Sequence, residues 1–407
     1  MEVYLDNQSG TKIDQRVYDE MLPYLKENYG NAQSMHSIGA RSNDALQKAR
    51  KFTAELINAK ENEIFFTSCG SESNNLAIKG VAQAYKDKGR HIIVSAIEHF
   101  SVLYSARRMQ QDGFEITYLP VDKYGLVSLD ELKKSIRKDT VLVSVQHANP
   151  EIGTIQPIDE ISKIVHEKGV LFHTDGVCTA GVLPIDVNNL NADLLTFSSS
   201  QLYGPSGAAA LYIKKGVKII PQIDGGIQEN GRRAGTENIP AIVGFGKACE
   251  IAKQEKEQNY KKTIKLRDKL ISELPKKIEH AYLNGHPEKR LPNSVNFSIE
   301  FIEGEGMLLF LDEKGVYVTS GSACTSKALK MSHVLSALNI DAAIAQGSVL
   351  MTLSKYNSDE DIDYVLKEFP PIVKRLRDMS PLYAYFLKTG KRQVAGPGTD
   401  YEHEHNE

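Results

Sequence analysis

The sequence predicts an α/β fold built on a mainly parallel sheet. Two observations carry this. Between about residues 60 and 215, short β-branched runs alternate with segments of helical periodicity, and those runs are apolar almost throughout instead of alternating apolar with polar. A strand that is apolar on both faces is covered on both faces, as in parallel sheets flanked by helices. The strands expected on this basis are 64–68, 91–95, 115–119, 141–145, 170–174, 194–197 and 209–213, with a helix at 129–136. Residues 239–274 are helical in pattern, with lysine-rich exposed positions from 253 to 269, and would lead from the sheet domain to a second unit at roughly 260–383. Strands are expected there at 294–298 and 316–319, and helices at 305–311 and 358–368, the latter with Ser358 as its N-cap. After Leu387 the chain turns polar and glycine-bearing, as a mobile tail would.

Composition narrows the function classes. At roughly 100–200 residues per domain, 407 residues suggest two or three domains, enough to bury a large core and build a cleft. A net charge of -3 with 25% charged residues is not the basic footprint of a nucleic-acid binder. No run approaches the ~18 apolar residues that span a bilayer, so no membrane insertion is expected. The start Met1-Glu2-Val3-Tyr4-Leu5-Asp6 lacks the basic and apolar regions of a signal peptide, which favours a cytoplasmic location. Cys69, Cys178, Cys249 and Cys324 are scattered with no CxxC pair, against a disulfide framework or structural zinc site.

In an open α/β sheet, ligands bind beyond the carboxyl ends of the strands, and polar residues collect there. Thr67-Ser68-Cys69-Gly70-Ser71-Glu72-Ser73 leads into a helix expected to begin near Asn74. Its small residues would let backbone amides approach an anion at a helix N-terminus, a phosphate cradle, although an ordinary helix-capping turn has the same composition. His99, Asn149, Asp175 and the run Ser198-Ser199-Ser200-Gln201 follow four further strands. Each alone reads equally as a turn cap, a helix cap or a core histidine. Five such loops in order along one sheet make an anion-binding cleft with an aromatic ring and a carboxylate, suited to a phosphorylated heteroaromatic cofactor.

With these residues in view, the chain resembles the cysteine desulfurases of the NifS/IscS type, within the class V, fold-type I pyridoxal-phosphate (PLP) enzymes. The resemblance runs from Tyr4-Leu5-Asp6-Asn7 to Ser380-Pro381-Leu382. It is most specific at Glu72-Ser73-Asn74-Asn75-Leu76-Ala77, Glu151-Ile152-Gly153-Thr154, Tyr203-Gly204-Pro205, Gly235-Thr236-Glu237-Asn238 and Gly321-Ser322-Ala323-Cys324-Thr325-Ser326. It implies a large cofactor-type domain at 15–258, a smaller α+β domain at 259–383 joined by an N-terminal segment at 1–14, and a tail at 384–407. It also implies a role for each matching residue. Gly70 and Ser71 match the loop that holds the cofactor phosphate, and Ser198 a further phosphate ligand. His99 matches the ring stacked on the pyridine, Asn149 the residue near its phenolic oxygen, and Asp175 the carboxylate paired with its nitrogen. Thr236 matches a phosphate ligand supplied by a partner subunit, hence a homodimer. Cys324 matches the thiolate that takes sulfur from the substrate and carries it as a persulfide.

The departures from the family pattern bear on chemistry. Where the family reads Ser-x-His-Lys, its lysine forming the imine with PLP, this chain reads Ser198-Ser199-Ser200-Gln201. A carboxamide neither forms an imine nor shuttles a proton. Lys214 and Lys215, after the strand at 209–213, are expected to point to solvent. Leu350 stands where the family has the arginine that clamps the substrate carboxylate, forfeiting a charge-assisted pair of roughly 2–3 kcal/mol. Cys178 replaces a glutamine that contacts the cofactor, and Ser200 replaces the histidine before the lysine. The expectation is therefore a desulfurase-like protein of iron–sulfur cluster assembly with a degenerate site, holding PLP non-covalently or not at all. Cys324, in a Gly/Ser/Thr-rich loop, would either accept sulfur or ligate an iron–sulfur cluster shared with a scaffold protein of the IscU type. The alternative expectation is a slow desulfurase with non-covalently held PLP.

Overall fold

The structure, a computed structural model, describes residues 1–321 and 331–392. The chain opens with β1 (Val3–Tyr4) and two helices, α1 (Gln15–Lys26) and α2 (Ser37–Leu56). It then alternates through β2 (Ile64–Thr67), α3 (Gly70–Tyr85), β3 (His91–Ser95), α4 (Phe100–Gln111), β4 (Glu115–Leu119), α5 (Leu129–Ser135), β5 (Thr140–Ser144), α6 (Ile158–Glu167), β6 (Leu171–Asp175), α7 (Val187–Leu190), β7 (Leu194–Ser198) and β8 (Ala209–Ile213). These strands form one seven-stranded sheet in the order β2-β8-β7-β6-β5-β3-β4. Strand β8 is antiparallel to both neighbours and the other pairings are parallel.

The near-continuous apolar runs have a direct cause. On β2, β3, β5, β7 and β8, Phe65, Ile92, Val94, Leu142, Leu194 and Leu211 join one core against α3 and α4. Their neighbours point to the opposite face, where Phe66, Leu195, Phe197 and Tyr212 meet α2 and Ile93 and Val143 meet α6. Successive side chains on a strand face opposite ways, so a strand with helices on both sides is apolar at every position. Edge strand β4 is only partly covered, with Glu115 and Tyr118 exposed.

The second half comprises α8 (Ile239–Lys277), β9 (Ala281–Leu283), β10 (Ser294–Ile299), α9 (Gly304–Asp312), β11 (Val316–Tyr317), α10 (His333–Ala337), α11 (Ala342–Ala345), β12 (Ser348–Thr352), α12 (Asp359–Asp378) and α13 (Pro381–Thr389). The long helix α8 serves two cores. Ile242, Phe245, Cys249 and Ile251 pack with the large sheet. Leu266, Leu270 and Leu274 pack with α12 and the antiparallel sheet β12-β10-β9. Val3 and Leu5 join this second core as well, and β1 pairs in parallel with β11. No helix among the described residues is long and apolar enough to cross a membrane.

Several elements differ from expectation. Helix α3 begins at Gly70, not near Asn74, because the glycine and serines already take helical geometry after Cys69. Helix α12 does not stop at 368. Its buried stripe Ile362, Val365, Leu366, Phe369, Ile372 and Val373 carries it through Pro370 and Pro371. Ser358 is its N-cap, in a capping box with Asp361. Residues 384–389, expected in the tail, are helical in α13, which Ser380 caps at one end and left-handed Gly390 closes at the other. Residues 393–407 lie outside the described residues.

Candidate functional site

At the carboxyl ends of β3, β5, β6 and β7 lies a cavity of about 490 Å³. The N-terminus of α3 and the residues after the strands line it from one side; Thr319, Gly321 and Leu350 from the second half of the chain line it as well, together with Gln8 and Ser9. It gathers Gly70, Ser71, His99, Asn149, Asp175, Cys178, Ser198, Ser200, Gln201 and Leu350. Among its described lining residues there is neither lysine nor arginine.

Asp175 closes β6 and is buried. Its Oδ1 accepts the Val177 N–H at 2.9 Å and its Oδ2 accepts from Asn74 Nδ2 at 2.7 Å. Burial pushes its carboxyl up, countered in part by those two donors and by His99. The second hydrogen of Asn74 Nδ2 goes to Ser101 Oγ at 2.9 Å, and that hydroxyl pairs with His99 Nδ1 at 2.7 Å. His99 is also the N-cap of α4 and accepts the Ser101 N–H at 3.1 Å. One carboxamide thus ties the carboxylate to the ring and sets the orientation of both. Asn74 was not among the expected site residues. Its partners lie 27 and 101 positions away, so only the glycine-serine turn before it signalled the neighbourhood.

Two further acids that sequence reasoning missed line the cavity. Glu98 is fully buried; its Oε1 accepts the Gln146 N–H at 2.7 Å, and burial pushes its carboxyl well up. Glu151 is buried beside Gly321, its Oε2 accepts from Ser332 Oγ at 2.7 Å, and burial pushes it to about 7. Glu98 Oε2, Glu151 Oε1 and Asn74 Oδ1 have no partner among the described residues.

Other expected residues are engaged locally or lie off the cavity. Asn149 Oδ1 caps its own turn, accepting from Glu151 N and Ile152 N at 2.9 Å, while Nδ2 donates to Ile97 O at 3.0 Å. The Cys178 thiol donates to Ala148 O at 3.1 Å, and burial pushes it far up, so it stays a thiol. Ser199 does not line the cavity. Residues leaving a strand alternate sides, and its Oγ faces away from the cleft toward Gly204, where a Cβ would come within 2.1 Å. Thr236 is exposed in the loop before α8 and does not line the cavity of its own chain. Lys214 lies at the far end of the sheet, because β8 runs antiparallel to β7, and it binds Asn191 Oδ1 at 3.1 Å. Cys324 lies outside the described residues, between Gly321 and His333, both of which line the cavity.

Gln201 occupies the turn after β7. Its Oε1 accepts from Ser198 Oγ at 2.5 Å and from Ser200 Oγ at 2.7 Å, and its Nε2 donates to Gln8 O at 3.2 Å.

A model of the aminotransferase class-V family matches residues 3–365. A cysteine desulfurase IscS of Methanosarcina thermophila is 53% identical over 380 residues, covering 93% of this chain and 94% of its own. A cysteine desulfurase IscS of Dictyoglomus turgidum is 50% identical over 93% of this chain and 96% of its own. The chain belongs to the NifS/IscS-type class-V family. A solved structure titled as a NifS-like protein superposes with a TM-score of 0.87 at 40% identity, covering 92% of this chain and all of that one.

In this class-V chain the residues around the cavity fit the ring of the family's PLP cofactor and do not fit its covalent attachment. Asp175 and His99 are held in place by Asn74 and Ser101, which line the cavity with them. A Cβ on Gly70 would come within 2.8 Å of Val177 Cγ2, so the loop after β6 packs against the start of α3 only because that residue is glycine. At position 201, where the resemblance puts the family's lysine, stands a carboxamide whose oxygen and nitrogen are both engaged.

Proposed function

We propose that this chain is a desulfurase-like homodimer of iron–sulfur cluster assembly, cytoplasmic, in which Cys324 is the working thiol. The single observation that carries this reading is Gln201, bound to Ser198, Ser200 and Gln8 at the rim of a cleft with no lysine or arginine among its described lining residues. PLP, if held, would be held non-covalently by Gly70, Ser71, His99 and Asp175, with Thr236 supplied by the second copy, while Ser198, matched to a phosphate ligand, gives its proton to Gln201. When bound, its pyridine ring supplies an electron sink next to the substrate's α-carbon. Asp175 would keep the ring nitrogen protonated and His99 would cover one ring face. No side chain at position 201 takes or returns a proton, and Leu350 offers a substrate carboxylate no countercharge.

The sulfur step is then assigned to Cys324. Its thiolate attacks the terminal sulfur of a donor persulfide, the donor leaves as a thiolate, and Cys324 carries the new persulfide to a scaffold protein of the IscU type. In the other use of the same thiolate, it ligates an iron–sulfur cluster shared with that scaffold; the cluster is cargo. A slow desulfurase with non-covalent PLP is the second reading, favoured by the intact Asp175–Asn74–Ser101–His99 chain.

The test is protein purified without air, assayed for visible absorbance, iron and sulfide release. The proposal expects a cluster signal lost in Cys324→Ala and kept in Asp175→Ala. The reverse pattern, or sulfide release from cysteine at about 1 per second or faster, the range of ordinary enzymes, overturns it. Sulfide release that appears only with added PLP and disappears in Asp175→Ala supports the second reading.

A further inference from the structure

A phosphate ester only accepts hydrogen bonds, so a cleft that binds one must offer donors. The described side-chain donors nearest the turn after β7 are the hydroxyls of Ser198 and Ser200, each with a single proton. Both protons are already given to Gln201 Oε1, at 2.5 and 2.7 Å, which fills both lone pairs of that carbonyl. The orientation of the carboxamide follows from its other end. Gln8 O is an acceptor, so the NH₂ group must face it, at 3.2 Å. The backbone of Gln8 cannot readily withdraw, because its N–H is held by Thr352 Oγ1 at 2.9 Å. The turn itself is strapped to the same segment, with Ser200 O accepting from both Thr11 N at 3.2 Å and Thr11 Oγ1 at 2.8 Å. Flipping the amide would set carbonyl against carbonyl, so Gln201 is locked with its oxygen toward the serines.

We infer that Gln201 is a specificity residue that weakens the hold on a phosphate ester by occupying the Ser198 and Ser200 protons, leaving Ser71 and the start of α3 to favour a pyridine ring carrying a 5′-phosphate only modestly over the same ring without one. This deepens the reading of the cleft as a cofactor site without a covalent anchor, and rests on it. A lysine at this position would leave the serine protons free and add a positive charge. The glutamine removes the charge and consumes two donors, while Asp175, Asn74 and His99, which face the ring, are untouched.

The experiment compares pyridoxamine 5′-phosphate with pyridoxamine by titration calorimetry on the full-length protein. Neither probe carries an aldehyde, so neither labels surface lysines. The unmodified protein should bind the two within about threefold of each other. Gln201→Met keeps the side-chain length and removes the acceptor. It should tighten pyridoxamine phosphate by ~10-fold or more, the worth of one or two hydrogen bonds to a charged group, and leave pyridoxamine within about threefold. Gln201→Glu keeps the acceptor and adds a like charge, so it should weaken the phosphate ester alone. Adding Ser198→Ala to Gln201→Met should cancel most of the gain. The inference is overturned if Gln201→Met binds the phosphate ester no more tightly, if pyridoxamine gains equally, or if no variant binds either probe. None of these readings involves Cys324, so their failure leaves the assembly proposal standing, and a failed cluster test leaves this one standing.

Discussion

Replacing Glu151 by glutamine should flatten the stability of the protein against pH. Glu151 is buried at the junction of the cleft and the second core, with Ser332 Oγ at 2.7 Å as the donor to Oε2 and nothing described against Oε1. Burial raises its carboxyl from 4.5 to about 7, and only the Ser332 hydrogen bond opposes the rise. The folded state therefore holds this proton more tightly than the unfolded state does. A carboxyl shifted this way contributes stability that is present below pH 4.5 and lost as pH rises through 7. Between pH 5 and pH 8 the loss amounts to about 2.5 kcal/mol, at roughly 1.4 kcal/mol per pH unit over the part of the window in which only the folded form is protonated. Glutamine keeps the shape and still accepts from Ser332, but it does not titrate. Urea unfolding of both proteins at pH 5 and pH 8 measures the difference. Glu98 and Asp175 are also shifted upward by burial, but they are common to both proteins and cancel in the comparison. Equal pH dependence in the two proteins would refute the reasoning.

Other predictions concern the scaffold and the thiols. Glu229 accepts from Arg50 at 2.6 and 2.8 Å and from the Phe66 N–H at 2.8 Å, deep beside β2. Glu229→Ala leaves both donors buried without it and should lower unfolding free energy by about 3–5 kcal/mol; a loss under 1 kcal/mol in urea unfolding would contradict this. Ser358→Ala removes the capping box of α12 and should cost about 1 kcal/mol, read as a lowered urea midpoint with unchanged slope. Brief alkylation of the native protein at pH 8 should label exposed Cys69 and spare Cys178 and Cys249, whose thiols burial pushes far up. Peptide mass spectrometry would show this, and labelling of Cys249 before unfolding would contradict it.

Strand positions were legible because two-sided burial leaves a continuous apolar run, and all seven expected strands of the large sheet begin and end within one residue of the observed β2 to β8, β5 and β6 each being displaced by one throughout. The ends of helices were less legible. Helix α12 passes through two prolines because its packed stripe outweighs local propensity, and α13 is held in part by ring contacts such as Phe386 on Phe301 at 4.7 Å. Neither cause is local. The same division runs through the cleft. His99, Asp175 and Ser198 stand at strand ends that the sequence marks with polar residues. Glu98, Glu151 and Asn74 fall in runs that look like ordinary caps or motif filler, and their roles come from partners far along the chain.

By itself the sequence determined the fold class, the family resemblance and that a carboxamide, which forms no imine, stands at position 201, because side-chain chemistry and apolar periodicity are properties of the residues alone. Only the tertiary structure decided what the replacement does. It brings Gln8 across 193 positions to orient one amide, turns Ser199 away while Ser198 and Ser200 face it, and sets Lys214 at the far end of the sheet. Hydrogen bonds depend on direction and on what else competes for each proton. Those are relations between distant residues, and folding creates them.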